Sequence, residues 1–309
     1  MHNYVIFLMG PTASGKTALA IELAKHLAIE IINVDSALVY KGMDIGTGKP
    51  SFAERTKVVH HLVDIIEPIE SYSVANFTKD AFRLIEDIIQ RNKVPVLVGG
   101  THMYFWALEH GLSQLPAADT AIRQRLEQQI KQQGIKSLHT ALQQIDPQTA
   151  ARLNVNDTQR ILRALEVHQL TGTPLSSLQD NKSYLNLNKY QLLRFAVLPA
   201  TRQIIHENIA KRLEAMLAAG FVNEVEDLLK KYALQADMSA MRTVGYRQIL
   251  AYLNSMYDYP TMVQKILAAT RQLAKRQCTW LNKWQEVNFI QPNLNNLLDR
   301  LPKSMLDSL

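Results

Sequence analysis

The chain contains little cysteine and no long apolar segment. A single cysteine, Cys278, among 309 residues excludes an internal disulfide and a cysteine-rich zinc site, and it is typical of a reducing compartment. No apolar run approaches the roughly 20 residues that a membrane-spanning helix needs. The apolar run at the start is short and lacks a basic leader, so we interpret it as a strand and not as a signal peptide. We therefore expect a cytoplasmic protein with no membrane partner.

Acidic residues are scarce in one part of the chain. The formal net charge is +6, and segment 242–283 alone carries this excess, because it has seven basic residues and one acidic residue, Asp258. A concentrated basic stretch suggests a polyanionic partner. A solvated helix face would also explain it. The basic residues are Arg242, Arg247, Lys265, Arg271, Lys275, Arg276 and Lys283.

A glycine-rich motif lies directly after the first apolar run, Tyr4–Met9. It fits G-x-x-x-x-G-K-[ST] at every required position and leads into a segment with helical spacing. In this context the backbone N–H groups and the helix N-terminus cradle a phosphate, the lysine supplies a point charge and the threonine hydroxyl is placed to hold Mg²⁺. The alternative is a turn without a ligand. The motif consists of Gly10, Pro11, Thr12, Ala13, Ser14, Gly15, Lys16 and Thr17.

The pattern of apolar runs predicts an α/β fold. Four short runs, Tyr4–Met9, Ile29–Val34, Val94–Val98 and Leu192–Leu198, are typical of parallel strands buried on both faces. Helical patterns alternate with them, and one is Val74–Gln90, with Ser73 as its N-cap. We predict a three-layer P-loop core built on a parallel sheet.

The composition changes after Gly111, where strand patterns give way to helical ones. Segments 121–144 and 157–170 have helical spacing, and a polar stretch follows them. We therefore predict a helical insertion at 119–189 within a core formed by 1–118 and 190–309. After Pro199 the core is almost entirely helical, with predicted helices at Gln203–Leu217, Val222–Tyr232, Arg247–Leu253 and Thr261–Trp284.

Polar residues follow two of the predicted strands. Asp35 comes directly after the second strand, and Thr101 follows the third strand through a pair of glycines. Ligands of open α/β sheets bind at these strand ends, so both residues would lie beside the phosphate loop. Asp35 could hold Mg²⁺, accept a proton from an acceptor group or cap a turn. No Walker-B carboxylate ends the third strand, which disfavours an ordinary ATPase or GTPase. The glycine-rich segment 41–50 is typical of a binding loop.

Two segments combine cations with amides or aromatic rings. Arg160 and Arg163 lie three residues apart on one helical pattern, and segment 270–280 has Arg271 and Lys275 on one face. Such patterns suit phosphate contacts and base stacking. For Trp280 and the nearby Trp284 we favour core packing instead.

Taken together, these motifs resemble the tRNA dimethylallyltransferases, also called tRNA isopentenyltransferases. The matching segments run in order along the chain: 10–17, 35–47, 60–62, 98–101, 159–166 and 270–280. The resemblance implies transfer of the dimethylallyl group of dimethylallyl diphosphate to the exocyclic N6 of the adenine 3′-adjacent to a tRNA anticodon. It also implies that the helical insertion grips the anticodon stem-loop. The phosphate loop would then hold a diphosphate leaving group, with Mg²⁺ on Thr17.

The resemblance also implies residue roles. Asp35 matches the general base, Thr101 matches a residue near the target N6, and Lys16 would stabilise the leaving group together with Arg212. Further tRNA-contact positions are implied in both parts of the chain: Asp35, Ser36, Ala37, Leu38, Thr101, Arg123, Gln159, Arg160, Ile161, Leu162, Arg163, Arg242, Gly245, Leu273, Ala274, Lys275, Arg276, Gln277, Cys278, Thr279 and Trp280. The protein is expected to be a monomer without an obligate protein partner.

The chain departs from the family pattern at His102, which puts the local shape beside Thr101 in question, and more mildly at Gly48. For His60 and His61 we favour a structural or hydrogen-bonding role over a metal site, because adjacent residues point to different sides.

Two other functions stay open. A P-loop kinase of a small metabolite would explain the phosphate loop and Asp35, and an RNA-binding switch gated by nucleotide would explain the loop and the basic stretch.

Overall fold

The computed structural model of the chain describes residues 3–179, 182–183 and 187–306. Two compact units are present, one formed by residues 1–109 and 186–309 and the other by residues 110–185. The second unit therefore begins before residue 119 and ends before residue 189, the boundaries expected from the sequence. Within the described ranges, no helix combines the length and the apolar character needed to cross a lipid bilayer.

The first unit is built on a six-stranded parallel sheet. Its strand order is β3-β2-β4-β1-β7-β8, and an antiparallel pair, β5 and β6, belongs to the second unit. In chain order the strands are β1 Tyr4–Met9, β2 Ile29–Val34, β3 His60–His61, β4 Val94–Gly99, β5 Leu112–Ser113, β6 Lys182–Ser183, β7 Gln191–Val197 and β8 Asn288–Ile290.

Helices of the first unit cover both faces of this sheet, and the helices within residues 110–185 belong to the second unit. In chain order they are α1 Lys16–Leu23, α2 Phe52–Arg55, α3 Val74–Gln90, α4 His102–His110, α5 Thr120–Gln133, α6 Ile135–Ile145, α7 Pro147–Arg152, α8 Thr158–Thr171, α9 Leu175–Leu178, α10 Arg202–Ala218, α11 Phe221–Lys231, α12 Tyr246–Leu253, α13 Tyr259–Leu281, α14 Leu294–Leu298 and α15 Lys303–Leu306, with a short 3-10 helix at Leu187–Lys189.

The central strands are buried on both sides, as continuous apolar runs predict. On one side Ile6 and Leu8 of β1 pack with residues of α1 and α14. On the other side Phe7 contacts Phe105 of α4, with ring centroids 5.0 Å apart, and Trp284 at 6.5 Å. The predicted three-layer P-loop architecture is therefore confirmed.

A second apolar cluster lies among the C-terminal helices of the first unit. It joins residues of α10, α11, α12 and α13 to Val39, Tyr40 and Met43, which follow β2. This cluster places the loop after β2 against α11 and α12. The predicted helices of this region are confirmed, with ends that differ by a few residues.

The unit of residues 110–185 has its own small core. Leu126, Leu138, Leu142 and Ile161 are buried together, and they come from α5, α6 and α8. Asp119 caps α5 and Asp157 caps α8, each accepting a backbone N–H three residues later. The predicted helical character of this part of the chain is confirmed.

Candidate active site

The phosphate-loop motif adopts the geometry expected of an anion cradle. Ala13 and Gly15 have positive φ angles, 62° and 86°, and the loop leads directly into the N-terminus of α1. A Cβ at Gly10 would lie 2.7 Å from both the Ser14 Oγ and the Val197 carbonyl oxygen, so only glycine fits there. The loop therefore combines positive φ angles with a helix N-terminus, as anion-binding loops do.

Lys16 and Thr17 line a cavity next to this loop. The Lys16 ammonium donates to the Pro11 carbonyl at 3.0 Å. Burial lowers the pKa of Lys16 to about 8, a neighbouring Asp35 acts in the opposite direction, and Arg212 lowers it further. The Ser14 hydroxyl is buried and has no hydrogen-bond partner. The loop therefore holds a desolvated cation and an unused hydroxyl, and both suit a bound anion.

Asp35 and Thr101 meet at the ends of neighbouring strands, as the sequence predicts. The Ser36 N–H donates to the Thr101 hydroxyl at 3.2 Å, and the Thr101 N–H donates to the Val34 carbonyl at 3.2 Å. One Asp35 carboxylate oxygen accepts the Ala37 N–H at 2.9 Å, which leaves the other oxygen facing a partly exposed position. Asp35 lines the cavity of Lys16 and Thr17, so a carboxylate and the phosphate-loop residues share one site.

The cavity has a volume of about 150 Å³ and is lined by polar and by apolar side chains, which we call its polar wall and its apolar wall. Lys16, Thr17, Asp35 and Arg212 form the polar wall. Apolar side chains form the other wall: Leu38, Ile209, Leu213, Met216, Phe221, Ile266 and Leu273. A ligand with a charged head and a short hydrocarbon tail matches this division. The sequence did not reveal the apolar wall, because Ile209, Leu213 and Met216 have the spacing of ordinary core residues on a helix.

Arg212 is placed at the cavity by the glycine-rich loop after β2. Its guanidinium donates to the Thr47 carbonyl at 2.7 Å, and a Cβ at Gly48 would lie 2.2 Å from it. Burial lowers the pKa of Arg212, and Asp35 opposes that shift. Gly46, Thr47 and Gly48 also line the cavity, so the segment 41–50 contributes to the site as its composition indicated.

Gln277 of α13 binds both strand-end loops. Its side-chain oxygen accepts the Thr12 N–H at 2.8 Å, and its amide nitrogen donates to the Gly100 carbonyl at 2.9 Å. A Cβ at Gly100 would lie 2.3 Å from that nitrogen, so this glycine permits the contact. The resemblance assigns Gln277 to tRNA, whereas the structure gives its amide partners within the protein. Sequence spacing offers no signal for this contact.

In the helical unit, two predicted tRNA contacts share a buried carboxylate. Glu166 is fully buried and accepts Arg123 Nε at 2.8 Å and Arg163 Nη1 at 2.6 Å. These two arginines hold the pKa of Glu166 below its usual range against the opposing effect of burial. Arg160 is exposed and pairs with Asp157 at 3.1 Å, and Gln159 is exposed as well. The assignment of Ile161 needs correction, because its side chain is buried in the core and cannot face RNA.

The segment 273–280 of α13 presents different faces. Lys275, Arg276 and Thr279 are exposed, Cys278 is half-buried, and Leu273 lines the cavity. Ala274 is buried against Ile205 and Ile209, so its side chain cannot contact RNA either. Arg242 is exposed, while Gly245 lines the cavity with a φ of 95°.

Core packing was predicted for both tryptophans, and the structure buries Trp284 more fully than Trp280. Trp284 is buried against Phe7 and Trp106. Trp280 is only half-buried, and the Lys283 ammonium lies 5.3 Å from its ring centroid. Trp280 thus keeps a partly accessible aromatic surface next to a cation.

The histidines singled out in the sequence make structural contacts. His60 Nδ1 lies 2.8 Å from the Val58 carbonyl, and His61 Nε2 lies 2.6 Å from the buried Glu30 carboxylate. Among the described residues no cluster of three or more His, Cys, Asp or Glu could hold a metal ion. His102 is buried beside Thr101, and neither of its ring nitrogens has a partner.

Comparisons with known proteins agree over nearly the whole chain. The family model described as IPP transferase matches residues 38–284, and the model described as isopentenyl transferase matches residues 1–70. A tRNA dimethylallyltransferase of Legionella pneumophila (strain Corby) is 52% identical over 289 residues, which cover 94% of this chain and 92% of that protein. One of Hydrogenovibrio crunogenus (strain DSM 25203 / XCL-2) is 48% identical over 302 residues, 98% of this chain and 93% of that protein.

Solved structures give the same answer. The full-length tRNA isopentenylpyrophosphate transferase of Bacillus halodurans has a TM-score of 0.71 and 32% identity, covering 99% of this chain and 97% of that one. A eukaryotic dimethylallyltransferase acting on tRNA has a TM-score of 0.76 and 25% identity, covering 98% of this chain and 77% of that one. The match of sequence and fold shows that the chain belongs to the IPP transferase family, together with the tRNA dimethylallyltransferases.

Proposed function

We propose that this protein transfers the dimethylallyl group of dimethylallyl diphosphate to the exocyclic N6 of the adenine 3′-adjacent to the anticodon of a tRNA. The products are N6-(dimethylallyl)adenosine in tRNA and diphosphate. The observation that carries this proposal is the single cavity in which a phosphate loop, an apolar wall and the Asp35 carboxylate meet. Relatives named tRNA dimethylallyltransferase support the same reaction.

The polar wall provides for the leaving group. When the bond between the allylic carbon and oxygen breaks, its electron pair leaves on the diphosphate, and negative charge develops there. Lys16, Arg212 and the backbone N–H groups at the N-terminus of α1 would lie around that position before the reaction begins. Preorganised donors of this kind stabilise developing charge without reorganising. The apolar wall would receive the five-carbon group.

The strand-end residues provide for the acceptor. The adenine N6 lone pair forms the new bond to the allylic carbon, and one N6 proton must leave. The Asp35 carboxylate, which lines the cavity together with Lys16 and Thr17, would accept that proton, and the neighbouring Thr101 hydroxyl accepts the Ser36 N–H. The target base must be extruded from its stack to reach this cavity, which costs least in a single-stranded loop.

A divalent cation fits the donor set that the cavity offers. Mg²⁺ binds through few protein ligands and takes the rest of its shell from phosphate oxygens and water. The Thr17 hydroxyl and the Asp35 carboxylate line one cavity, and no larger carboxylate cluster occurs in the described part of the chain. We propose that Thr17 holds Mg²⁺, which would neutralise charge on the diphosphate when bound.

The predicted tRNA contacts, the predicted monomeric state and the predicted location are also part of this proposal. Exposed cations in the helical unit, such as Arg160, and on α13, such as Lys275, would contact the tRNA backbone. The helical unit would meet the anticodon stem-loop. The protein would act as a monomer in the cytoplasm.

The test is a transfer assay with purified protein, Mg²⁺, dimethylallyl diphosphate and a tRNA with adenine beside its anticodon. Nucleoside mass spectrometry should show a five-carbon gain on that adenosine. Asp35→Asn should lower turnover by roughly 10²–10⁴-fold while tRNA affinity changes little. The matched control, Asp299→Asn, removes an exposed carboxylate elsewhere and should leave turnover unchanged. No modified adenosine with wild-type protein, together with ATP turnover, would indicate a kinase instead.

A further inference from the structure

The loop of residues 44–48 forms one side of the cavity without supplying a charged group of its own to it. Gly46, Thr47 and Gly48 line the cavity, and the Thr47 carbonyl accepts the Arg212 guanidinium. The position of Arg212 therefore depends on the position of this loop. The loop holds its own turn, because the Gly48 N–H donates to the Ile45 carbonyl at 2.9 Å and the Thr47 hydroxyl donates to the Met43 carbonyl at 2.6 Å. Its position relative to the cavity depends on contacts with other elements.

A single carboxylate from α11 fixes this loop. One oxygen of Glu224 accepts the N–H of Asp44 at 2.9 Å and that of Ile45 at 2.6 Å, and the other oxygen accepts the N–H of Gly46 at 3.1 Å. The Tyr246 hydroxyl donates to this second oxygen at 2.5 Å. Four donors thus converge on one anion, and hydrogen bonds to a charged acceptor are roughly twice as strong as neutral ones.

Packing around the same loop leaves it little freedom to shift. A Cβ at Gly46 would lie 1.9 Å from the Phe221 ring and 2.7 Å from the Tyr246 ring, so the backbone sits directly on these two side chains. Phe221 begins α11, three residues before Glu224, and also lines the cavity. Glu224 itself does not line the cavity, which separates its role from contact with a ligand.

We propose that Glu224 is a positioning residue for the transfer: by binding three successive backbone N–H groups of the loop 44–48, it places the Thr47 carbonyl so that Arg212 is aimed at the diphosphate end of the cavity. This inference rests on the proposed function, since Arg212 is assigned to the diphosphate there. The chain of contacts runs from Glu224 through the loop to Arg212, which lines the cavity.

The chemistry of the site requires a carboxylate. A glutamine at position 224 has one acceptor oxygen and one amide nitrogen that can only donate. At least one of the four donors would then face another donor, and the loop would lose its fixed position. Glu224→Gln keeps the size of the side chain, so the change removes acceptor capacity and charge without opening a void.

The experiment is a double-mutant cycle on pyrophosphate affinity, measured by titration calorimetry with Mg²⁺. Glu224→Gln should weaken pyrophosphate binding by about tenfold, and Arg212→Ala by at least as much. In the Arg212→Ala background, Glu224→Gln should weaken binding by less than about twofold, because residues that act through one another are not additive. Glu226→Gln, on the same helix and without a role in the loop, should bind pyrophosphate as the wild type does.

The same variants have a kinetic readout. Glu224→Gln should raise KM for dimethylallyl diphosphate while the Kd for tRNA stays within about twofold of the wild type. If Glu224→Gln does not fold, Tyr246→Phe replaces it, since it removes one donor and leaves the three amides bound. Tyr246→Phe should weaken pyrophosphate binding by about two- to threefold, and only while Arg212 is present.

Two results would overturn the inference. One is unchanged pyrophosphate affinity in Glu224→Gln, and the other is a full, multiplicative loss in the double variant. A wild-type protein that binds pyrophosphate but modifies no tRNA would instead overturn the proposed function, so the two failures are distinguishable.

Discussion

Lys16 is a cation that the fold keeps in poorly hydrated surroundings. Burial is the main cause of its lowered pKa, about 8, and its only hydrogen bond among the described contacts is to the Pro11 carbonyl. Desolvation disfavours the charged form of a lysine, and an arriving dianion restores it. The charged form of Lys16 is therefore disfavoured by its surroundings, and a phosphate bound beside it would stabilise that form.

The first prediction concerns the pH dependence of donor binding. Since the protonated form of Lys16 binds the diphosphate, affinity for dimethylallyl diphosphate should be level below pH 8 and fall as pH rises through it, by about tenfold at pH 9. Calorimetric titration from pH 7 to 9 measures this. Lys16→Arg carries a charge that does not titrate in this range, so its profile should lack the inflection. The same inflection in that variant would assign the effect to another group.

His102 is a second residue whose ionisation the fold opposes. It is buried with both ring nitrogens unpartnered, and burial together with the Lys16 charge lowers its pKa to about 4. The unfolded chain binds a proton near pH 6.5, and the folded chain does so only near pH 4. The stability associated with neutral His102 is therefore complete above pH 6.5 and is lost as pH falls towards 4.

The second prediction follows from this difference. At pH 5 protonation of His102 in the unfolded chain should lower the free energy of unfolding by about 2 kcal/mol relative to pH 7.5. In His102→Met the drop between these pH values should be smaller by that amount. Urea unfolding at both pH values measures it, and the same variant at pH 7.5 serves as the reference. Equal pH dependence in the two proteins would contradict this account.

At the scale of elements, the structure shows which parts the sequence could predict. β1 and β2 are continuous apolar runs, and the predicted ends of both are the observed ones. Helix α3 was also predicted with its cap, because Ser73 precedes a strong 3.6-residue pattern. β3 and β8 were missed because they have two and three residues, too few for any period to appear. α4 was missed because it begins directly after the Gly99-Gly100 pair, where a loop was expected.

The third prediction concerns the contact between β2 and β4. A Cβ at Gly99 would lie 1.9 Å from the Val34 carbonyl oxygen, which is backbone and cannot move aside. Gly99→Ala should therefore force the strands apart and lower the free energy of unfolding by about 2 kcal/mol or more. Urea unfolding measures the loss. Gly134→Ala is the control, because nothing lies within 4 Å of its Cβ position and only the strain of its φ of 76° remains.

The fourth prediction concerns the hold of α13 on the phosphate loop. Gln277→Leu removes the acceptor of the Thr12 N–H and the donor to the Gly100 carbonyl. Unsatisfied groups of this kind cost about 1–3 kcal/mol each when buried, so the melting temperature should fall and pyrophosphate should bind several-fold more weakly. Gln272→Leu changes an exposed glutamine of the same helix and should have neither effect. Normal pyrophosphate affinity in Gln277→Leu would show that the phosphate loop keeps its conformation without Gln277.

At the scale of the whole molecule, the chain forms two units that each have their own core, and the residues predicted to contact tRNA occur in both. Motif order along the chain was sufficient to predict that the phosphate loop, Asp35 and Thr101 follow strands, because the ends of β1, β2 and β4 were predicted to within one residue. It was not sufficient to predict Glu224 or the apolar wall, since these come from helices more than a hundred residues away in sequence. Burial of Ile161 and Ala274 was equally invisible, because a motif gives position and not orientation.

The fifth prediction concerns the charge of segment 242–283. Lys275 and Arg276 are exposed on α13, and cations that neutralise phosphates make binding depend on salt. Lys275→Ala with Arg276→Ala should weaken tRNA binding and reduce the slope of log affinity against log salt by about 2. The control pair, Lys57→Ala with Lys79→Ala, removes the same exposed charge from another part of the unit. If both pairs change the slope equally, general charge and not this segment attracts the RNA.

One turn of α13 carries two exposed cations, Lys275 and Arg276, and also Gln277, which accepts the Thr12 N–H of the phosphate loop. Because these residues are on one helix, a displacement of α13 at Lys275 and Arg276 would also displace Gln277 and its hydrogen bond to the Thr12 N–H. Such coupling is reciprocal, so binding of the donor and binding of tRNA to α13 would change each other's affinity by the same factor. Occupancy of the cavity by a diphosphate would then change the affinity for tRNA, whichever of the two binds first.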